Sequence, residues 1–179
     1  MLKIALLAGA VIVGAALLVV IVGLLLPKSH VAARSILLHR RPEEVFRLIS
    51  DVKAAPAWRP DVRSVELLEP LNGHIRFREK GRNGAITMEV VESNSPSRMV
   101  TRIADQGLPF GGMWIFDIAP TTDDSRLNIT EQGEIYNPVF RFVSRFILGY
   151  KRTMDTYLRN VSRKFDENSL PQDGPASDL

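Results

Sequence analysis

The chain has 179 residues, 45 % of them hydrophobic, with 23 basic against 20 acidic side chains and a formal net charge of +3. The charges are spread along its length, which excludes the strongly one-sided basic patch of a nucleic-acid binder. No cysteine is present, so disulfides cannot report the redox compartment.

From Ile4 to Leu26 the sequence is uncharged and almost wholly apolar, with Lys3 before it and Pro27-Lys28 closing it. At about 1.5 Å per residue this run reaches roughly 34 Å, enough to cross a hydrocarbon core of about 30 Å. It predicts a single-pass transmembrane anchor over residues 1–27, with the remaining chain on one side of the membrane. A cleaved signal peptide is the competing reading. Val31-Ala32-Ala33 resembles a cleavage site, but the run exceeds the usual apolar length of about 7–15 residues and Lys28 and His30 crowd the approach. Ala10 and Gly14 are spaced as small-xxx-small, a pattern that permits a homodimer through the span but also arises often by chance. Basic residues do not settle sidedness. Lys28, Arg34, Arg40 and Arg41 come after the span and favour a cytoplasmic domain, whereas the short basic start resembles an uncleaved export signal.

Beyond the anchor the chain reads as one domain over residues 28–166, about 140 residues and large enough for a real core. Ala33 to His39 reads as a short strand. Pro42 then starts a helix, with Glu43 and Glu44 at its positive end and Val45, Phe46, Leu48 and Ile49 as its apolar face. After the Pro56-Ala57-Trp58-Arg59-Pro60 loop comes a meander of strands: Val62–Glu69, His74–Lys80, Ala85–Glu92, Arg98–Ala104, Met113–Ile118 and Arg126–Ile135. Asn72-Gly73 and Asn83-Gly84 supply tight turns. Asn137 and Pro138 open a long amphipathic helix whose apolar stripe runs from Val139 to Phe165. The order predicts an α+β fold in which a curved antiparallel sheet wraps around a long C-terminal helix. Residues 167–179 have little to bury and are expected to form a disordered tail.

The motifs and their order resemble the START-like superfamily, specifically the polyketide cyclase/dehydrase-like SRPBCC proteins. Pro42, Val45, Phe46, Ile49 and Asp51 match the opening helix pattern, Pro56, Trp58 and Pro60 the loop, Gly111-Gly112-Met113-Trp114 the start of a later strand, and Asn137-Pro138 the last helix. Arg40-Arg41 departs from the alanine usual before the proline. The resemblance covers roughly residues 31–165. It implies a helix-grip fold with a hydrophobic-ligand cavity between sheet and helix, but no single activity.

Phe77, Met88, Trp114 and Phe116 are the sheet-side candidates for ligand binding, and Phe142, Phe146 and Met154 the helix-side ones. The alternative is that they pack together as core. Leu108, Pro109 and Phe110, flanked by glycines, form a candidate apolar gate. No catalytic constellation, phosphate loop, metal cluster or cofactor motif is recognisable. Glu131 is the one catalytic candidate, because it shares a face with the inward Leu127 and Ile129; Arg102 or Tyr150 would serve as its partner. His39 has a parity that permits an inward placement. The basic strand face of His74, Arg76, Arg78, Lys80 and Arg82 reads as solvated, with anionic lipid headgroups as the alternative. Three functions are compatible with these residues: a membrane-anchored binding protein for a lipid or other hydrophobic small molecule, a cyclase/dehydratase-like enzyme using an inward carboxylate, or a packed interaction domain without ligand.

Overall fold

Helix α1 runs from Leu2 to Leu25 and carries neither an acidic residue in its first turn nor a basic one in its last. Its stretch Leu6–Leu25 is long and apolar enough to cross a membrane, and most of it is exposed. The computed structural model describes the chain apart from Asn83 and Asp123, with the backbone alone at Leu2 and Ala5. The second Asn-Gly turn therefore falls partly outside the described residues, while Asn72 and Gly73 both adopt the left-handed backbone that their hairpin turn needs.

The domain continues directly as β1 (Ser29–Leu38), α2 (Pro42–Ser50), a 3-10 turn (Val52–Ala57), β2 (Val62–Leu71), β3 (His74–Gly81), β4 (Gly84–Asn94), β5 (Arg98–Ile103), β6 (Phe110–Pro120) and β7 (Ser125–Ile135). Then come α3 (Pro138–Val143), a π turn (Ser144–Leu148), α4 (Arg152–Lys164) and the short β8 (Gln172–Asp173). The strands form one antiparallel sheet in the order β2-β3-β4-β5-β6-β7-β1-β8. It is the expected helix-grip arrangement, with α2 and α4 in the concave face.

The helix expected to run unbroken from Asn137 is interrupted. Asn137 does cap α3, its side chain accepting from the Phe140 N–H. Gly149 then adopts φ 72° and ψ 163°, a conformation that costs a residue with a Cβ about 1–3 kcal/mol. The periodic stripe continues through this break because side-chain spacing does not register one residue's backbone angle. Of the two pieces of this interrupted helix, only α4 is gripped by the sheet.

The core joins both helices to the sheet. Val45, Phe46 and Ile49 of α2 and Met154, Tyr157, Leu158 and Val161 of α4 pack on Ile36, Leu38, Phe116, Ile118, Leu127 and Ile129. The Tyr157 ring lies 5.4 Å from Trp58, 5.7 Å from Trp114 and 5.5 Å from Phe116, with the Arg59 guanidinium 5.1 Å from its centre. Arg59 also donates to Glu79 at 2.7 Å and to Asp61 at 2.9 Å, tying loop to sheet.

The tail is not loose. Beyond β8 it crosses the outer sheet face, where the Ser177 N–H donates to Thr130 Oγ1, Gln132 to the Ser177 carbonyl, Asn128 to the Pro175 carbonyl and Arg98 to the Asp178 carbonyl. Ala33, Thr130, Ile115 and Val100 form one cross-strand row beneath it and are buried, although no helix covers that face. The tail needs few apolar side chains of its own because it is held through its backbone and by ion pairs. Asp173 meets Arg34 at 2.8 Å and Lys151 at 2.6 Å, and these hydrogen bonds, Lys151 first, hold its carboxyl below the usual carboxylate range.

Two outcomes are expected. Removing residues 172–179 uncovers the Val100–Ile115 row and lowers stability by about 2–4 kcal/mol on area grounds; an unchanged urea midpoint would refute the covering role. Burial pushes the Tyr157 phenol well above the ordinary tyrosine range, with Arg59 opposing and Glu79 and Asp61 reinforcing. A raised folded-state value means this contribution is whole below the unfolded value of about 10 and is lost as pH rises beyond it. Tyr157→Phe should keep the ring packing and remove that alkaline dependence, whereas Tyr157→Ala should cost about 3–5 kcal/mol in thermal or urea unfolding.

Candidate functional site

Glu131 points into the concave side, as its parity with Leu127 and Ile129 predicts. Its Oε2 accepts from Trp114 Nε1 at 2.9 Å, and its Oε1 lies 3.0 Å from His30 Nε2. The His30 ring stacks on Tyr150 at 3.8 Å with an interplanar angle of 16°. Register explains the assembly: Glu131 sits opposite both Trp114 on β6 and Ala32 on β1, and His30 sits opposite Gly133. A Cβ at Gly133 would run into the imidazole, so this glycine makes the space the ring occupies.

This cluster is a polar clasp at the end of the hydrophobic core. Both carboxylate oxygens are occupied, one by the imidazole and one by the indole. The second ring nitrogen of His30 has no hydrogen-bond partner among the described residues. Both side chains of the pair are mostly covered.

On one side of the clasp a groove of about 660 Å³ is lined by Ile103, Leu108, Phe110, Gly112, His30 and Tyr136, among others. It contains two of the three candidate gate residues, Leu108 and Phe110, both half-buried, while Pro109 is exposed. The Pro109 carbonyl accepts from the Tyr136 N–H, and the Phe110 ring faces Phe140 of α3 at 6.2 Å. On the other side lies a groove of about 780 Å³, whose lining includes Arg145, Leu148, Tyr150, Lys151, Arg152 and Arg159.

The expected cavity residues are divided by the fold. Trp114, Phe116 and Met154 belong to the packed core around Tyr157. Phe77 and Met88 are opposed on β3 and β4, further along the concave face. Phe142 and Phe146 lie on the far side of the Gly149 break, 4.9 Å from one another, and Phe146 is 59 % exposed. The break at Gly149 separates these two, on α3 and the π turn, from Met154 on α4.

Other expectations are also corrected. Arg102 is not the partner of Glu131; it projects from the outer face to Glu89 at 2.8 Å. That bond, ahead of a second from His74, holds the Glu89 carboxyl below its usual range and places an acid amid the basic strand face. His39 is exposed and pairs with Asp124, because Ile36 and Leu38 take the inward parity of β1. Tyr150 does approach Glu131, but through His30. Sequence reasoning passes over His30 as a residue beside the span; the glycine opposite it in a strand is the available signal. Among the described residues no group of His, Asp and Glu is arranged to hold a metal ion.

A curved antiparallel sheet gripping a helix, with grooves at its open end, defines a START-like domain. Residues 29–166 match the family described as polyketide cyclase / dehydrase and lipid transport, and the chain belongs to that family. A START superfamily protein from Mycobacterium smegmatis is similar at TM-score 0.60 and 16% identity, over 76% of this chain and 97% of its own. Truncated norcoclaurine synthase from Thalictrum flavum matches at TM-score 0.63 and 12% identity, over 78% and 95%. The Zhui aromatase/cyclase from a Streptomyces species matches at TM-score 0.61 and 11% identity, over 77% and 94%. At these identities the likeness is one of fold. No curated protein matches the chain.

Replacing Glu131 tests the clasp. Glu131→Leu leaves the Trp114 N–H and the His30 ring without an acceptor and should cost about 1–3 kcal/mol. Glu131→Gln should cost less, since its amide oxygen still accepts from the indole. The indole N–H proton resonance of Trp114 should move in the Leu variant and stay near its place in the Gln variant; equal shifts would refute the bond.

Proposed function

We propose that the protein is a membrane-anchored binding module for a lipid or other hydrophobic small molecule, with α1 as its single span. One observation carries this reading: the gate, the groove beside it and the end of the apolar helix meet at one end of the domain. The Ile135 N–H donates to the Lys28 carbonyl just after α1, and Phe110 pairs with Ile135 at the start of β6. The ligand's apolar part lies between Leu108, Phe110 and Ile103, and the His30 ring and Tyr136 hydroxyl orient its polar end. The site is an open groove at the sheet end, since Trp114, Phe116 and Met154 fill the interior behind it.

The aromatase/cyclase and synthase that share the fold give the enzyme reading its precedent, and the inward Glu131–His30 pair is the observation favouring it here. In that reading His30, oriented by Glu131, exchanges a proton with a bound ligand. The occupied carboxylate fits orientation better than proton transfer, so the binding reading leads.

The full chain in nanodiscs carrying a diazirine-bearing fatty acid separates these readings. Photolysis should label peptides containing Leu108 to Met113, and Leu108→Glu should abolish that labelling. Label confined to α1 would refute the groove as a ligand site. Chemical conversion of a ligand that His30→Ala abolishes would establish the enzyme reading instead.

A further inference from the structure

The segment between the gripped helix and the sheet has an unusual surface. Val139, Phe140, Phe146, Ile147 and Leu148 are 44 %, 36 %, 59 %, 69 % and 44 % exposed, a dense run of large apolar side chains on α3 and the π turn. A soluble face of this kind would carry polar residues.

The same segment is bound to the end of α1. A Cβ on Gly23 would overlap the Pro138 carbonyl, so the two backbones touch. Arg141, itself buried, donates from Nη1 to the Leu26 carbonyl at 2.8 Å and from Nη2 to the Tyr136 carbonyl. This guanidinium caps the last turn of α1 with α3. Gly23 lies three residues inside the end of the apolar run, about 4–5 Å by helical rise, so the start of α3 lies level with the last turn of the span.

Charge completes the pattern. The groove adjoining Leu148 gathers Arg145, Lys151, Arg152 and Arg159, against Asp155 and Asp173. Asp155 is engaged by Arg34 and Asp173 by Arg34 and Lys151, while Arg145 and Arg152 make no side-chain ion pair among the described residues. An apolar ridge beside basic side chains, at the level of a span's end, fits the boundary between acyl chains and anionic headgroups.

We infer that α3 and the π turn are bedded in the membrane interface, with Phe146, Ile147 and Leu148 among acyl chains and Arg145 and Arg152 on lipid phosphates. This rests on the reading of α1 as a span. The gate is then held at the bilayer surface, because Phe110 packs on Phe140 of the bedded segment. The groove takes its ligand from the membrane without passage through water.

The absence of native cysteine allows single labels. Leu24→Cys, Ile147→Cys and Ile75→Cys variants of the full chain, each carrying an environment-sensitive fluorophore, are reconstituted in phosphatidylcholine vesicles with phosphatidylglycerol. Ile75 is the reference, being 56 % exposed on β3, toward the sheet edge remote from β7 and β1. Spin-labelled lipid should quench Ile147 nearly as strongly as Leu24 and leave Ile75 bright. Omitting phosphatidylglycerol should reduce quenching at Ile147 and leave Leu24 unchanged. Quenching at Ile147 as slight as at Ile75 overturns the bedding. A bright label at Leu24 overturns the span and the bedding together. Quenching is read without ligand, so a groove that captures no fatty acid would remove the binding proposal and leave this one standing.

Discussion

The domain closes on one side chain. Tyr157 brings α4 against Trp58 from the loop after α2 and against Trp114 and Phe116 from β6, and its ring faces the Arg59 guanidinium. Arg59 in turn reaches Glu79 on β3, so a single aromatic post joins the last helix, the loop and opposite parts of the sheet. Burial at this point is what makes the grip rigid.

The consequence appears at the other end of the helical segment. With α4 locked by Tyr157, Leu158 and Val161, the chain before it is free to turn at Gly149 and run beside α1. The sheet end near His30, Phe110 and Tyr136 is therefore roofed by α3 only at its margin, and the grooves open there. Packing at one end and openness at the other are two results of one interrupted helix.

Much of this was legible in the residues. Alternation placed Leu127, Ile129 and Glu131 on one strand face, and the register confirms that face as the concave one. Pro42, Asn137 and the Asn72-Gly73 turn marked boundaries through backbone chemistry that acts locally. What escaped was non-local. Nothing near His30 announces that it will meet Glu131 on the neighbouring strand, since the partners lie 101 residues apart in sequence. The tail escaped for a different reason: composition reports what a segment can bury of its own, and this one covers the apolar row of another. Gly149 escaped because a break in backbone angle leaves the hydrophobic period intact. The candidate gate and site residues were thus visible as residue types, and their meeting place was not.

The contact at Gly23 has an angular consequence. Nine residues separate Gly14 from Gly23, which at 3.6 residues per turn is roughly half a rotation about the helix axis. The small-residue face of Ala10 and Gly14 therefore points away from α3. If α1 spans a membrane as proposed, two copies paired through that face would stand back to back. Their grooves would look outward in opposite azimuths, each toward its own sector of the surrounding lipid.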